Sequence, residues 1–396
     1  MTNRTDLVRT LALTAGAVAT TMAIAACATN SAGSTGAAPT GTATHVHSGA
    51  SSPAPPQPLR AGERFVNLTM PQPYTPTPPN GGTDEYRCIL VDPHLTKPVF
   101  LTGTQFQPQN IPIAHHALVF ALAAKNAAAA RAKDAATPGE GWTCFGNDGL
   151  NTEPPAAWVD TWTPNGTETL LKQDAGFRLE PGSLLILQVH YNLLDTNGQP
   201  GATDQSSVRL RVTDGTAATK ALDTVPLEAQ IELPCTSSES GPLCDRAAAV
   251  ADVTRRFGTE VGGTQAQLLR ECSKGKAAPG NTQHCDFPVP QPMTVYAALG
   301  HMHLLGRSIK IELNPGTAAA QTLLDVPSFN FDDQELHVLP APVQVKPGDT
   351  VRVTCTHDAA LRRMLPQLKK LPPRYVVYGD GTSDEMCLGL LTVSAR

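Results

Sequence analysis

The chain has no Cys-x-x-Cys motif, no cluster of lysine and arginine, and, past residue 27, no apolar run long enough to span a membrane. The first absence leaves a cysteine-based zinc cluster without its usual local pair. The second, together with a net charge of -5, argues against nucleic acid as a partner. The third leaves no spanning helix in the body of the chain.

The N-terminal sixty residues have a composition of their own. Arg4 and Arg9 precede an apolar run of small residues, 11–26, which ends Ile24-Ala25-Ala26 and leads into Cys27. This pattern predicts an export signal with a lipobox ending, Cys27 becoming the acylated first residue of a protein anchored at the outer face of the cell membrane. An ordinary cleaved signal or a single membrane anchor is the plainer alternative. Residues 28–60 are almost all Ala, Gly, Ser, Thr and Pro, with nothing to bury, and predict a disordered tether. His45 and His47 lie within it, with no strand to fix them and no third partner nearby.

Residues 61–396 exceed what one hydrophobic core usually serves and predict two domains, 61–215 and 216–396. With 35 prolines, 32 glycines and many short Val/Leu/Thr runs, the chain reads as all-β and rich in turns. Strand signals are clearest at Leu184–Asn192 after Pro181-Gly182, at Thr294–Leu305, at Thr350–His357 after Pro347-Gly348, and at Arg374–Tyr378. Turn punctuation at such intervals suggests β-sandwiches. The exception is about 235–285, where DRAAAVADVTRRFG and TQAQLLREC have helical composition and spacing, so a helical insertion is expected in the second domain.

The chain has nine cysteines. With Cys27 set aside, eight remain: Cys88, Cys144, Cys235, Cys244, Cys272, Cys285, Cys355 and Cys387. An even set in an exported protein implies a disulfide framework. Spacing leaves on the order of a hundred pairings open.

The chemistry-bearing residues begin with His301 and His303 in AALGHMHLLGR. Two apart on a strand, they project from one face and converge, which is half of a metal site. His115 and His116 are adjacent, so both can serve one metal only if their strand bends or begins there. Otherwise one is a core histidine bonded to a backbone carbonyl. Gln188 and His190 share a face of the 184–192 strand. Met386, in DEMC, is a core methionine by default, but a thioether beside two imidazoles suits copper cycling through Cu(I). A zinc or non-haem iron site would leave Met386 unused.

In this order, HH, QVHYN, HMHLLG and DEMC resemble the copper type II, ascorbate-dependent monooxygenases, the family of peptidylglycine alpha-hydroxylating and dopamine beta-monooxygenases, over most of residues 62–396. The resemblance implies two jelly-roll-type sandwich domains facing each other across a solvent-filled cleft. It implies one copper on His115, His116 and His190, which passes electrons, and a second, oxygen-binding copper on His301, His303 and Met386. Ascorbate or an equivalent reductant and dioxygen would be co-substrates, with Gln188 a supporting group near the first copper. It also suggests the bridges Cys355–Cys387 and Cys88–Cys144; for the insertion a nested pair, Cys235–Cys285 and Cys244–Cys272, is expected.

One departure concerns substrate. Where peptide-amidating members hold a carboxylate with Arg, Asn and Tyr, this chain has Leu299, Leu388 and Leu390. A glycine-extended peptide is therefore not expected, and a small hydrophobic or aromatic substrate is. The competing function is a lipid-anchored copper carrier or store that oxygenates nothing. A paired-carboxylate hydrolase around Asp332 and Glu335 lacks a nucleophile, and that turn reads as a solvated loop. His337 and His357 lie near sandwich strands, and His94 and His284 have no evident partners.

Overall fold

The computed structural model describes residues 54–79, 84–137, 139–144, 146–164, 166–193, 201–331, 333–379, 381 and 383–395. All lie in one compact unit, His47–Arg396. The expected signal, Cys27, and the pair His45 and His47 fall outside these residues, as does Asp332. The end of the expected tether, residues 54–60, does not hang free. Gln57 and Pro58 offer their carbonyls to Arg211 at 2.7 and 3.0 Å. Arg211 is itself fully buried between Glu63 and Glu168. A buried guanidinium has five donors to satisfy, and backbone carbonyls of an otherwise featureless segment supply acceptors.

The fold is all-β, and two of its sheets position the histidines. A five-stranded antiparallel sheet runs Trp142–Thr143, Asp84–Val91, Leu184–Asn192, Ala114–Leu122, Ala157–Trp162. A nine-stranded sheet runs from Glu63–Thr69 through Ser207–Thr213, Val99–Gln107, Ala175–Leu179, Lys220–Glu228, Cys387–Ala395 and Met293–Met302 to His337–Val345, with Thr169–Leu170 beside Val99–Gln107. Lys220–Glu228 joins its two ends: Lys220 to Leu222 pair in parallel with Ala175–Phe177, and Asp223 to Glu228 pair antiparallel with Cys387–Ala395. A four-stranded sheet, Thr282–Pro288, Thr350–His357, Gly306–Leu313 and Gln321–Val326, covers the C-terminal part.

Alternation along the strands assigns each face to a core. Leu185, Leu187, Val189 and Tyr191 enter an N-terminal core with Leu101, Phe106, Phe177 and Val208. Their neighbours Leu184 and Ile186 point the other way, into a separate cluster with Leu118, Phe120 and Trp158. Both faces of this strand are thus buried, which is why LLILQVHYN reads as a continuous apolar run rather than an alternating one. The C-terminal core gathers Val295, Ala298 and Met302 with Ile309, Ile311, Val353 and Val393.

The helical insertion is present as Arg246–Phe257 and Thr259–Ser273. Asp245 caps the first helix, accepting from the Ala248 amide at 2.9 Å. Cys88 is bonded to Cys144 and Cys355 to Cys387. The nested pairing expected around the helices does not form. Cys235 bonds Cys244, nine residues on, and Cys272 bonds Cys285, thirteen on. Each closes a local turn: one just before the helical pair, the other between the end of the second helix and the strand Thr282–Pro288. Strand and helix direction bring these neighbours within bonding reach, at Cα separations of 5.6 and 4.6 Å.

Candidate metal centres

A bulge resolves how His115 and His116 can serve one site. In the ladder between Ala114–Leu122 and Leu184–Asn192, Ala114 pairs with Tyr191 and His116 with His190, with His115 as the extra residue between them. The bulge turns His115 out of strict alternation, as bulges do beside functional sites. His115, His116 and His190 then bring their ring nitrogens within 4.8 Å of one another. The Nδ1 atoms of His115 and His190 each lie 3.3 Å from Nδ1 of His116. Metal–imidazole bonds of about 2 Å at a roughly tetrahedral angle place two nitrogens at this separation.

The surroundings orient these rings. His190, 1% exposed, donates from Nε2 to Asp84 Oδ1 at 2.9 Å, and Asn192 donates to the same oxygen at 2.8 Å. A carboxylate on one imidazole nitrogen leaves the other with its lone pair available to a metal. Tyr86 stacks flat on His190 with ring centroids 4.1 Å apart.

At the C-terminal group, His301 and His303 lie with ring centroids 5.2 Å apart. His301 donates from Nδ1 to Gln334 Oε1 at 2.7 Å, while its Nε2 is buried and has no hydrogen-bond partner. Burial, with His303 beside it, pushes the His301 pKa down to about 3, so the ring is neutral and the orphaned Nε2 carries a lone pair. A buried acceptor without a donor is costly unless something binds it. His303 donates from Nδ1 to the Asp384 carbonyl at 3.3 Å. The last pair of the ladder between Met293–Met302 and Cys387–Ala395 is Met302 with Cys387, so the buried Met386 sits at the histidine end of the sheet.

Glu385 holds the two ends of this group together. Its carboxylate, wholly buried, accepts from the backbone amides of His303 at 3.0 Å and Leu305 at 2.6 Å, with His357 Nε2 3.4 Å away. The preceding Asp384 takes Arg256 of the first insertion helix in a two-pronged contact at 2.8 and 2.6 Å. The insertion therefore anchors the segment that carries Met386.

The other candidates distribute as follows. Gln188 serves the neighbouring loop, accepting from the Gly146 amide at 3.2 Å and donating to the Asn147 carbonyl at 2.7 Å. Leu299, Leu388 and Leu390 are all buried, in the cluster with Phe120, Trp158, Leu184 and Ile186. Along the strand faces this apolar seam leads directly to His116, His190 and His301. Gln334, within the turn read as solvated, is buried and bonds His301, whereas its neighbours Asp333 and Glu335 are exposed. His94, His284 and His337 are exposed, and His357 is buried beside Glu385. Sequence reading missed Asp84, Gln334, Glu385 and Phe331; Glu385 and Gln334 had only their adjacency to motif residues to single them out.

Residues 276–392 match the family model described as copper type II ascorbate-dependent monooxygenase, C-terminal domain. A Mus musculus relative, DBH-like monooxygenase protein 2, is 33% identical over 95 residues, covering 24% of this chain and 14% of that protein. A Homo sapiens relative, likewise named for DBH-like monooxygenase, is 32% identical over 102 residues, covering 26% of this chain and 18% of its own length. Among solved structures, that of allantoicase aligns with 85% of this chain and 90% of its own at a TM-score of 0.19 and 10% identity, a similarity too low to bear on fold or function. Over residues 276–392 the chain is thus similar to the C-terminal domain of the copper type II ascorbate-dependent monooxygenases, and it spans less than a fifth of the length of the curated relatives it matches.

Proposed function

We propose that this protein is a copper-dependent monooxygenase that hydroxylates a C–H bond of a small apolar or aromatic substrate, using dioxygen and a one-electron reductant such as ascorbate. The single observation that carries this reading is the pairing of two chemically different donor sets at one end of the fold. His115, His116 and His190 offer only imidazole, and would hold one copper. His301 and His303 with Met386 would hold the other; a thioether favours Cu(I). The unpartnered Nε2 of His301 fits a ligand atom awaiting a metal.

When bound, copper supplies the dioxygen and one-electron chemistry, and the protein supplies geometry and a dry surrounding. Asp84 fixes the His190 ring, Gln334 fixes His301, and the Asp384 carbonyl fixes His303. Trp158, with its ring centroid 6.1 Å from that of His301, and the absence of a carboxylate clamp support an apolar substrate. The predicted lipid anchor at Cys27 would hold the protein at the outer face of a membrane, and the four disulfides fit an exported protein.

A second reading, a copper carrier or store, draws support from Leu299, Leu388 and Leu390, which are buried in an apolar cluster. Metal analysis of the purified chain should find two coppers, with Met386→Ala weakening Cu(I) binding while sparing the histidine-only site. One zinc and no copper would sink both readings. Label from dioxygen appearing in aromatic amines or alcohols, with ascorbate present, decides for the enzyme; repeated failure with copper-loaded protein decides for the carrier.

A further inference from the structure

Phe331 stands between the two histidine groups. Its ring centroid lies 5.9 Å from that of His115, 5.8 Å from His116 and 6.3 Å from His303, and it is perpendicular to the last two. The side chain is 9% exposed and belongs to the C-terminal core. Its carbonyl accepts from Gln334 Nε2 at 2.7 Å, and Oε1 of the same Gln334 accepts from His301 Nδ1 at 2.7 Å. One short segment thus touches members of both groups.

A phenyl ring has no lone pair to ligate with and no proton to move. What it contributes is volume, shape and exclusion of water, which strengthens electrostatic interactions around it. A substrate or a file of water joining the two groups on this side would have to occupy the volume the ring fills. The leucines Leu299, Leu388 and Leu390 are likewise packed, in an apolar cluster of their own.

We propose that Phe331 is a positioning residue that sets the separation of the two groups and keeps the space between them dry and closed. Substrate then reaches His301, His303 and Met386 from a side other than the one facing His115 and His116. This inference rests on the copper reading above.

The test uses the full chain loaded with Cu(II). Azide binding is titrated through its charge-transfer absorption, and the dipolar coupling of the two Cu(II) spins is read by electron paramagnetic resonance. Phe331→Ala should retain two coppers, bind azide about tenfold more tightly, and change the spin coupling. Phe331→Tyr, which restores a planar ring, should return both readings to those of the parent. If the alanine variant loses copper, Phe331→Leu removes only part of the ring's volume, and smaller shifts in the same two directions are expected. A variant with two coppers and unchanged azide affinity and coupling overturns the proposal alone. A parent chain that binds no copper overturns the metal reading with it.

Discussion

Gly146, in the loop that follows the Cys88–Cys144 bridge, lies against Met386 of the C-terminal part: a Cβ placed on Gly146 would be 3.7 Å from Met386 Cε and 4.0 Å from its Sδ. The glycine has φ of +62°, a conformation other residues adopt only with strain. Gln188 holds this loop by its backbone, at the Gly146 amide and the Asn147 carbonyl. Gly146→Ala fits the space but not the dihedral. It should lower stability by about 1 kcal/mol, seen in denaturant midpoints, and move the sulfur signature in copper X-ray absorption of the reduced protein.

Asp84 should matter to one site only. Its carboxylate orients His190, and loss of such an outer partner typically weakens metal affinity by about 10–100-fold. Asp84→Asn should produce a loss of that order at the histidine-only site, with the Met386 site unchanged. Competition titration with a Cu(I) chelator measures both, and equal weakening at the two sites would contradict the assignment.

Glu385 ties the end of the histidine strand to the residue before Met386 through two backbone amides. Glu385→Gln replaces one acceptor by a donor facing a backbone N–H, a mismatch that costs about 1–3 kcal/mol when buried. Thermal unfolding should fall accordingly, and copper at His303 and Met386 should be held less tightly. Unchanged melting would show that the carboxylate is dispensable.

Asp160 gives a pH dependence with a definite sign. It is buried, 3% exposed, with hydroxyls of Thr104 and Thr169 donating to it. Burial pushes its pKa up from 3.8 to about 7, against those hydroxyls. A carboxyl raised on folding contributes stability that is full below about pH 4 and is lost as pH rises through about 7. Asp160→Asn removes this contribution, so the stability difference between parent and variant should change between pH 4 and 8 and be flat outside that window. Urea unfolding across the range measures it; a constant difference would show that Asp160 is ionised throughout.

Much of this was legible in the sequence. The apolar run of Leu184–Asn192, the alternation of Thr350–His357 and the Pro-Gly turn before each mark these two strands at their observed bounds. Helical spacing marks the insertion, because local periodicity reflects which face each element buries. HMHLLG and DEMC fall within residues 276–392, which match the C-terminal domain model of the family that the four motifs together resemble. The insertion's disulfides were not legible, since pairing depends on which chain ends meet in space. Neither were Asp84 and Phe331, which lie 106 residues before His190 and 28 after His303 and meet them only in the folded chain.

The leucines show where the two kinds of information divide. That Leu299, Leu388 and Leu390 are apolar, and so cannot clamp a carboxylate, follows from their side chains alone, since recognition of a charge needs a donor or a countercharge. Whether they would face a substrate or another sheet does not follow, because an apolar side chain is equally satisfied by either. The tertiary structure decided it: with both faces of the Leu184–Asn192 strand buried, one face had to meet the C-terminal sheet, and the leucines are what it meets. The donor chemistry of each histidine is a property of its side chain, whereas the spacing of the two histidine groups comes from how those sheets pack.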